Sequence, residues 1–197
     1  MLTSFIVYSE SLHMNVLFFF ISCITLDELA QQVDLQVQTW CAPSRTAYVE
    51  RVYDGDTLFL QGEEDAIRLL GVSAPEVDNP PECYGEEAGD FLASLVLGEQ
   101  VILEYDMECT DIYNRQLAWI VLEGEDASVY DLMEEFELEG RNEDGSYRLL
   151  VNELIIGAGY AEMFQGEIDK SERYRARIED AESRAEAVSI GLWAECP

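Results

Sequence analysis

Basic residues are scarce in this chain. Its 197 residues include 41 Asp and Glu against 11 Lys and Arg, a formal net charge of -30, and Lys170 is its single lysine. Such a surface repels itself in dilute salt, whereas 1 M salt shortens the Debye length to about 3 Å and screens the repulsion. Because the acidic residues are spread along the whole sequence, the charge indicates adaptation to high salt more than a patch for a basic partner.

Histidine is rare as well, and closely spaced cysteines of the kind that bind metals are absent. The one histidine, His13, lies near the N-terminus, and no Cys-x-x-Cys pair occurs. These absences exclude a zinc site and a catalytic triad built on histidine.

The apolar run of nine residues at 16–24 is too short to span a bilayer as a helix. It suits the apolar region of a signal peptide, although no Lys or Arg precedes Arg45. We therefore expect residues 1–25 to be a signal-peptide or lipoprotein-like leader, with membrane attachment through a lipidated Cys23. A buried N-terminal segment and a true start at Met14 are the alternatives.

One folded domain follows this leader. Residues 26–45 are polar with scattered apolar residues and are interpreted as a tether, which leaves 46–197 for the domain. With 48% hydrophobic and 11% aromatic residues, the chain can bury one sizeable core.

The cysteines number five, and four remain if the one in the leader is lipidated or removed. Four cysteines allow two disulfides in three connectivities. We favour the pair Cys83 and Cys196, which would tie the loop after the first strands to the C-terminal end; buried free thiols are the alternative. The remaining cysteines are Cys23, Cys41 and Cys109.

Three short runs rich in Val, Leu, Tyr and Phe open the domain, at residues 47–53, 57–61 and 66–72. Asp-Gly-Asp and Gly-Glu-Glu-Asp turns separate them, so the pattern predicts a β-meander. A first helix is predicted over 85–97, because its apolar residues share one helical face. Those residues are Ala88, Leu92, Leu95 and Val96.

Two further strands are predicted at 100–106 and 115–122, followed by a helix at 149–156. Asp169 with Glu172 forms a capping box that is expected to open another helix. The apolar stripe of that helix consists of Tyr174, Ile178, Ala181, Ala185 and Val188.

Five strands with a helix between the third and fourth favour an α+β fold, a five-stranded OB-fold β-barrel with about three packed helices. The number and order of the predicted strands do not by themselves distinguish the OB fold from other small β-barrels. The acidic stretch 123–146 is interpreted as an enlarged surface loop or hairpin.

Three motifs point further: VYDGDT at 52–57, IRLLGVSAPE at 67–76 and TDIYNRQLA at 110–118. In order and spacing they resemble the active-site segments of the thermonuclease family, the staphylococcal or micrococcal nucleases. Segments at 151–154 and 191–193 resemble its second helix and C-terminus. The resemblance covers everything after the tether.

Phosphate chemistry is indicated by the residues themselves. Arg68 and Arg115 are strand-embedded cations in a chain with few cations. A guanidinium can hold phosphate oxygens bidentately and stabilise charge that develops in a phosphorus transition state. Pairing of each arginine with neighbouring carboxylates is the alternative.

The resemblance implies roles for the remaining site residues. Asp56 matches a calcium-ligating aspartate, and Ser73 and Ala74 occupy the other metal positions. Glu76 matches the glutamate assigned as general base, and Tyr113 a tyrosine that contacts nucleotide phosphate. The implied cofactor is Ca²⁺.

The implied activity is calcium-dependent hydrolysis of DNA, RNA or both to 3′-phosphate products by a salt-adapted endonuclease. We expect a monomer with no stable protein partner, located outside the cell or on its surface. The nucleic-acid substrate would be contacted mainly through its backbone, without sequence readout.

Departures from the family pattern support an alternative. Ser73 replaces an aspartate ligand, Ala74 stands where threonine is common, Ile112 replaces a basic residue, and Asn114 replaces a glycine. Loss of a carboxylate weakens a calcium site. A catalytically impaired OB-fold module that binds nucleic acid or protein is therefore the competing hypothesis, and an acidic surface-attached interaction protein is a third.

Overall fold

The computed structural model describes residues 40–78, 80–164, 166 and 173–196. Its strands are Arg45–Val52 (β1), Thr57–Leu60 (β2), Ala66–Leu69 (β3), Val72–Ser73 (β4), Gln100–Glu104 (β5), Gln116–Gly124 (β6), Tyr147–Leu150 (β7) and Glu162–Met163 (β8). Its helices are Gly85–Val96 (α1), Ala127–Glu135 (α2), Val151–Gly157 (α3), Arg175–Val188 (α4) and Leu192–Glu195 (α5).

Five strands close into a barrel. β1 pairs antiparallel with both β2 and β5, β2 pairs with β3, and β5 pairs with β6. The closing contact is the parallel pairing of β3 with β6, which leaves no open edge between them. The predicted five-stranded OB-fold barrel of the α+β class is confirmed.

The core fills the barrel and continues under the helices. Trp119 of β6 is fully buried, and its indole N–H donates to Asp106 Oδ2 at 3.0 Å. Helix α1 buries Ala88, Leu92 and Val96, as its apolar face predicts. This burial fixes α1 beside the turn between β1 and β2, which carries the candidate site.

The sequence interpretation was wrong for the acidic stretch 123–146. The structure places helix α2 there, with Asp126 as N-cap, its side chain accepting from the Ser128 N–H. The next strand, β7, was also missed: it pairs with β6, so α3 begins at Val151 and not at residue 149.

Two smaller differences concern the third strand and the last long helix. The run 66–72 is divided into β3 and β4 by a turn in which Gly71 has φ 71°, a left-handed conformation that suits glycine. Val188, at the end of the predicted stripe of α4, is 72% exposed. The capping box of Asp169 and Glu172 lies outside the described residues.

Two disulfides link the chain, Cys41 to Cys109 and Cys83 to Cys196. The second is the pair favoured from the sequence, whereas Cys23 lies outside the described residues. The first fastens the residues before β1, where the Cys41 N–H also donates to the Asp106 carbonyl at 2.7 Å. In the described ranges, no helix has both the length and the apolar character needed to cross a membrane.

Candidate active site

The turn between β1 and β2 supplies a buried carboxylate. Asp56 is 2% exposed and accepts hydrogen bonds from the Thr57 hydroxyl and the Ala74 N–H, both at 2.9 Å. Its other close partner is the guanidinium of Arg68 on β3. Asp56 therefore joins β2, β3 and the residues that follow β4 in one polar centre.

Asp54 lies in the same turn and is also buried. Its carboxylate accepts from the Asp56 N–H at 3.0 Å. Burial raises the pKa of Asp54, while the charges of Arg68 and Arg115 and hydrogen bonds from Thr57 oppose that rise. Asp54 therefore feels the charge of both guanidiniums.

Barrel closure pairs the strand that carries Arg68 with the strand that begins directly after Arg115. Arg68 is paired with Leu117 in the parallel β3–β6 ladder, and Arg115 directly precedes β6. Arg68 also donates from Nη2 to the Val72 carbonyl at 3.0 Å, which directs its guanidinium towards the end of β4. Two fixed cations thus lie near the buried carboxylates.

A tight loop before β6 holds Arg115. Asp111 accepts from the backbone N–H groups of Tyr113 and Arg115, each at 2.9 Å, and from Arg115 Nε at 2.6 Å. Burial opposes ionisation of Asp111, but these hydrogen bonds outweigh it and lower its pKa below the ordinary 3.8. Asp111 therefore fixes both the backbone of Arg115 and the Nε end of its guanidinium.

Two departures from the family pattern lie in this loop. Asn114 has φ 65°, the left-handed conformation for which glycine is the usual residue and asparagine a tolerated one. Ile112 is 90% exposed, so no core contact explains its apolar side chain. Tyr113 is 75% exposed, with its ring centroid 5.5 Å from the Arg115 guanidinium carbon.

Glu76 lies on the loop after β4 and is exposed. Its N–H donates to Glu82 Oε2 at 3.0 Å, and its carbonyl accepts from the Glu82 N–H at 2.8 Å. A Cβ added to Gly85 would lie 2.7 Å from the Glu76 carbonyl oxygen, so glycine at the start of α1 permits this close approach.

The turn carrying both aspartates packs against the same elements. A Cβ on Gly55 would lie 2.6 Å from Ala74 Cβ and 2.7 Å from Ala88 Cβ. Small residues at these three positions therefore let the turn, the loop after β4 and helix α1 meet.

The donors suit a hard cation by type but are few. Oxygen atoms of Asp56 and Ser73 and the backbone are the atoms that calcium prefers, and calcium takes six to eight of them, waters included. Asp56 is shared with Arg68, and within the described residues no three His, Cys, Asp or Glu side chains form a metal-binding group. A cation at this place would have one carboxylate ligand and would depend on the hydroxyl, backbone carbonyls and waters for the others.

The sequence of the chain is similar to those of known nucleases. The sequence model of the family described as "Staphylococcal nuclease homologue" matches residues 66–195. The chain belongs to this family. The thermonuclease of Staphylococcus intermedius is 29% identical to it over 74% of each chain. The thermonuclease of Staphylococcus hyicus is also 29% identical, over 77% of this chain and 78% of the relative. Endonuclease YncB of Bacillus subtilis is 35% identical over 39% of each chain.

Of the residues that the family resemblance selects, Asp56, Arg68 and Ala74 are in direct contact. Ser73 directly precedes Ala74, at the end of β4, and is paired in register with Glu162 of β8. Sequence reasoning assigned no role to Asp111 or Glu82. The Asp-x-x-x-Arg spacing could have revealed Asp111, whereas no local pattern connects Glu82 with Glu76.

Proposed function

We propose that the chain, by family membership a hydrolase of phosphodiester bonds, cleaves DNA, RNA or both and leaves 3′-phosphate ends. The observation that carries the proposal is the pair of arginines, Arg68 on β3 and Arg115 directly before β6, beside two buried aspartates. With 11 basic residues in the whole chain, two such cations at one site favour an anionic substrate.

Arg68 and Arg115 bind the scissile phosphate in this proposal. Each guanidinium presents a rigid fork of N–H donors, and that of Arg68 is oriented by the Asp56 carboxylate, that of Arg115 by Asp111. Donors fixed in advance stabilise the charge that grows on the phosphate oxygens in the transition state more than the ground-state charge.

Glu76 acts as the general base. Its exposed carboxylate can take a proton from water or orient that water, which attacks phosphorus in line with the departing 5′ oxygen. The bond from phosphorus to the 5′ oxygen breaks, that oxygen takes up a proton from solvent and leaves as a 5′ hydroxyl, and the phosphate stays on the 3′ oxygen.

Asp56, Ser73 and Ala74 would hold a calcium ion, through a carboxylate, a hydroxyl and a backbone carbonyl. When bound, the ion supplies Lewis-acid polarisation of a phosphate oxygen. Because Ser73 carries no charge and Asp56 also faces Arg68, we expect a dissociation constant on the order of 10⁻⁴ to 10⁻³ M.

Tyr113 is the proposed substrate contact beyond the scissile phosphate. Its exposure leaves both the hydroxyl and the ring face available to a nucleotide. Contacts of this kind recognise backbone and stacked bases, so cleavage should depend little on sequence.

The proposed place of action is outside the cytoplasm. Two disulfides support it, because such bonds persist in oxidising compartments. We propose a monomer whose partner is its nucleic-acid substrate. Lipid attachment at Cys23 stays a prediction that mass spectrometry of the membrane fraction can test.

The test is digestion of denatured DNA and of RNA in about 2 to 3 M KCl, a range that screens the acidic surface. Calcium or a chelator is added, and Glu76→Gln is compared with Glu86→Gln, an exposed glutamate of α1. We expect calcium-dependent cleavage that Glu76→Gln abolishes and Glu86→Gln leaves intact. Product ends should accept polymerase extension only after phosphatase treatment.

Absence of cleavage by folded wild-type protein would contradict the proposal. The replacement of a charged ligand by Ser73 would then favour a nuclease-like binding module. Binding of labelled single-stranded nucleic acid without hydrolysis would identify that module, and binding lost in Arg68→Ala would place it at the same site.

A further inference from the structure

One short segment connects the loop of Glu76 with helix α1. We call residues 82–85 the brace. Glu82 bonds both backbone polar groups of Glu76, accepting from its N–H at 3.0 Å and donating to its carbonyl at 2.8 Å. Gly85 closes the brace, because its N–H donates to the Glu82 carbonyl at 3.3 Å.

The brace is fixed covalently at Cys83, which is bonded to Cys196. Cys196 follows α5, and its N–H donates to the Leu192 carbonyl at 3.0 Å. The Leu192 N–H in turn donates to the Gly159 carbonyl at 2.8 Å. The far end of the disulfide therefore rests on the turn after α3, a helix in which six of seven residues are buried.

A cavity of about 370 Å³ has Ser73, Ala74 and Pro75 in its lining, and both disulfide cysteines line it as well. The brace lies beside this space, and among the described residues Glu82 bonds directly to the Glu76 backbone.

We propose that Glu82 is a positioning residue for Glu76, and that the Cys83–Cys196 disulfide keeps Glu82 in place. The inference rests on the proposed role of Glu76 as general base. Glu82 does not touch substrate in this proposal; it sets where the Glu76 backbone lies, and so where the base meets the attacking water. A small displacement of a general base lowers the rate of the chemical step more than substrate binding.

The kinetic test compares Glu82→Ala, Glu82→Gln and the control Glu86→Ala. Alanine removes the acceptor, so kcat should fall about tenfold while KM stays nearly constant. Glutamine keeps an oxygen that accepts the same N–H and should restore most of kcat, and Glu86→Ala should behave as wild type. Full kcat in Glu82→Ala, or no recovery in Glu82→Gln, overturns the proposal.

Amide hydrogen exchange supplies a readout that does not depend on hydrolysis. The Glu76 N–H should exchange about tenfold faster in Glu82→Ala and in the double variant Cys83→Ser/Cys196→Ser. The matched variant Cys41→Ser/Cys109→Ser also loses one disulfide and should leave that amide at its wild-type rate.

The two readouts separate the two possible failures. If wild-type protein does not cleave nucleic acid but the Glu76 amide responds as expected, the proposed function is wrong and the positioning contact stands. If the amide exchanges at the same rate in every variant, the positioning role is wrong whatever the activity.

Discussion

At the residue scale, the site depends on the shape of guanidinium as much as on its charge. Arg68 bonds two groups at once, the Asp56 carboxylate and the Val72 carbonyl. Arg115 is held through its backbone N–H and its Nε by Asp111. A lysine ammonium is a point charge on a flexible stem and cannot reproduce these paired contacts.

Arg68→Lys should therefore lower kcat/KM on the order of 10²-fold despite the conserved charge. Initial rates on denatured DNA at saturating calcium measure the effect. Arg51→Lys is the matched control, because Arg51 lies on β1 with its guanidinium 3.7 Å from the Phe59 ring, and it should cleave at the wild-type rate. Wild-type rates in Arg68→Lys would mean that positive charge alone suffices.

Substitution by alanine should have different effects at two glycines of helix α1: it should impair catalysis at Gly85 and stabilise the helix at Gly89. Gly85→Ala should lower kcat about tenfold, because the new Cβ would lie 2.7 Å from the Glu76 carbonyl oxygen and must displace that loop. Gly89→Ala meets its nearest atom, Asp54 Cα, at 3.6 Å and should stabilise the helix by about 0.5 to 1 kcal/mol.

Kinetics and urea unfolding of both glycine variants decide this comparison. Equal activity in the two variants would show that the position of the Glu76 carbonyl has no effect on catalysis. A loss of stability in Gly89→Ala would show that the space beside Asp54 is tighter than the distance indicates.

At the element scale, the loop between β5 and β6 depends on one ionised carboxylate. The pKa of Asp111 is lowered, so its contribution is present above the unfolded value near 3.8 and is lost as pH falls through the folded value. Asp111→Asn should lower the free energy of unfolding by about 1 kcal/mol at neutral pH, and the difference from wild type should vanish in acid.

Urea unfolding of wild type and Asp111→Asn from pH 7 down to pH 2 measures that difference. A constant difference across this range would attribute the effect to packing and not to charge. Asp126→Asn is the control for the loss of hydrogen bonds to a carboxylate that has no arginine partner. Asp126 accepts bonds from Ser128 at the start of α2, away from Arg115.

The elements themselves were predictable where local pattern and tertiary contact agree. Turn residues clearly bound the strands β1 and β2, and α1 has one apolar face, so all three elements were predicted from the sequence. Helix α2 was missed because it lies within the acidic stretch 123–146 and buries only Met133. Strand β7 was missed because its pairing with β6 is non-local and its apolar residues run directly into α3.

The same distinction applies to the site. Asp56, Arg68 and Ala74 were selected by resemblance to motifs, and the closed barrel brings them into contact. Glu82 could not be selected, since its importance comes from two bonds to a backbone six residues earlier. A contact of this kind leaves no periodicity or composition that a sequence could display.

At the scale of the whole molecule, the few arginines act as cross-links among the carboxylates. Arg148 and Arg173 both pair with the buried Glu104, and Arg177 pairs with the buried Glu153. Burial raises the pKa of Glu153, and Arg177 opposes that rise. These pairs join β5, β7, α3 and α4, so the scarce cations outside the site hold elements together.

With a net charge of -30, the carboxylates repel one another, and this repulsion favours the unfolded chain. We therefore expect the free energy of unfolding to rise steeply between about 0.1 and 2 M KCl, because the Debye length shrinks from about 10 Å to less than 3 Å. Urea unfolding at each salt concentration measures this, and sucrose at equal osmolality is the control for effects other than screening.

The cleavage rate should at first rise with KCl concentration, as stability does, and then fall at still higher salt. Salt weakens the contacts of Arg68 and Arg115 with a phosphate backbone. At high salt, the release of counterions from the nucleic acid on binding contributes less free energy. Screening of 41 acidic residues acts in the opposite direction, both on the fold and on the approach of a polyanion. Cleavage rates should therefore pass through a maximum at molar KCl, whereas a rate that falls steadily from 0.1 M, with stability unchanged, would show that the acidic surface is not an adaptation to salt.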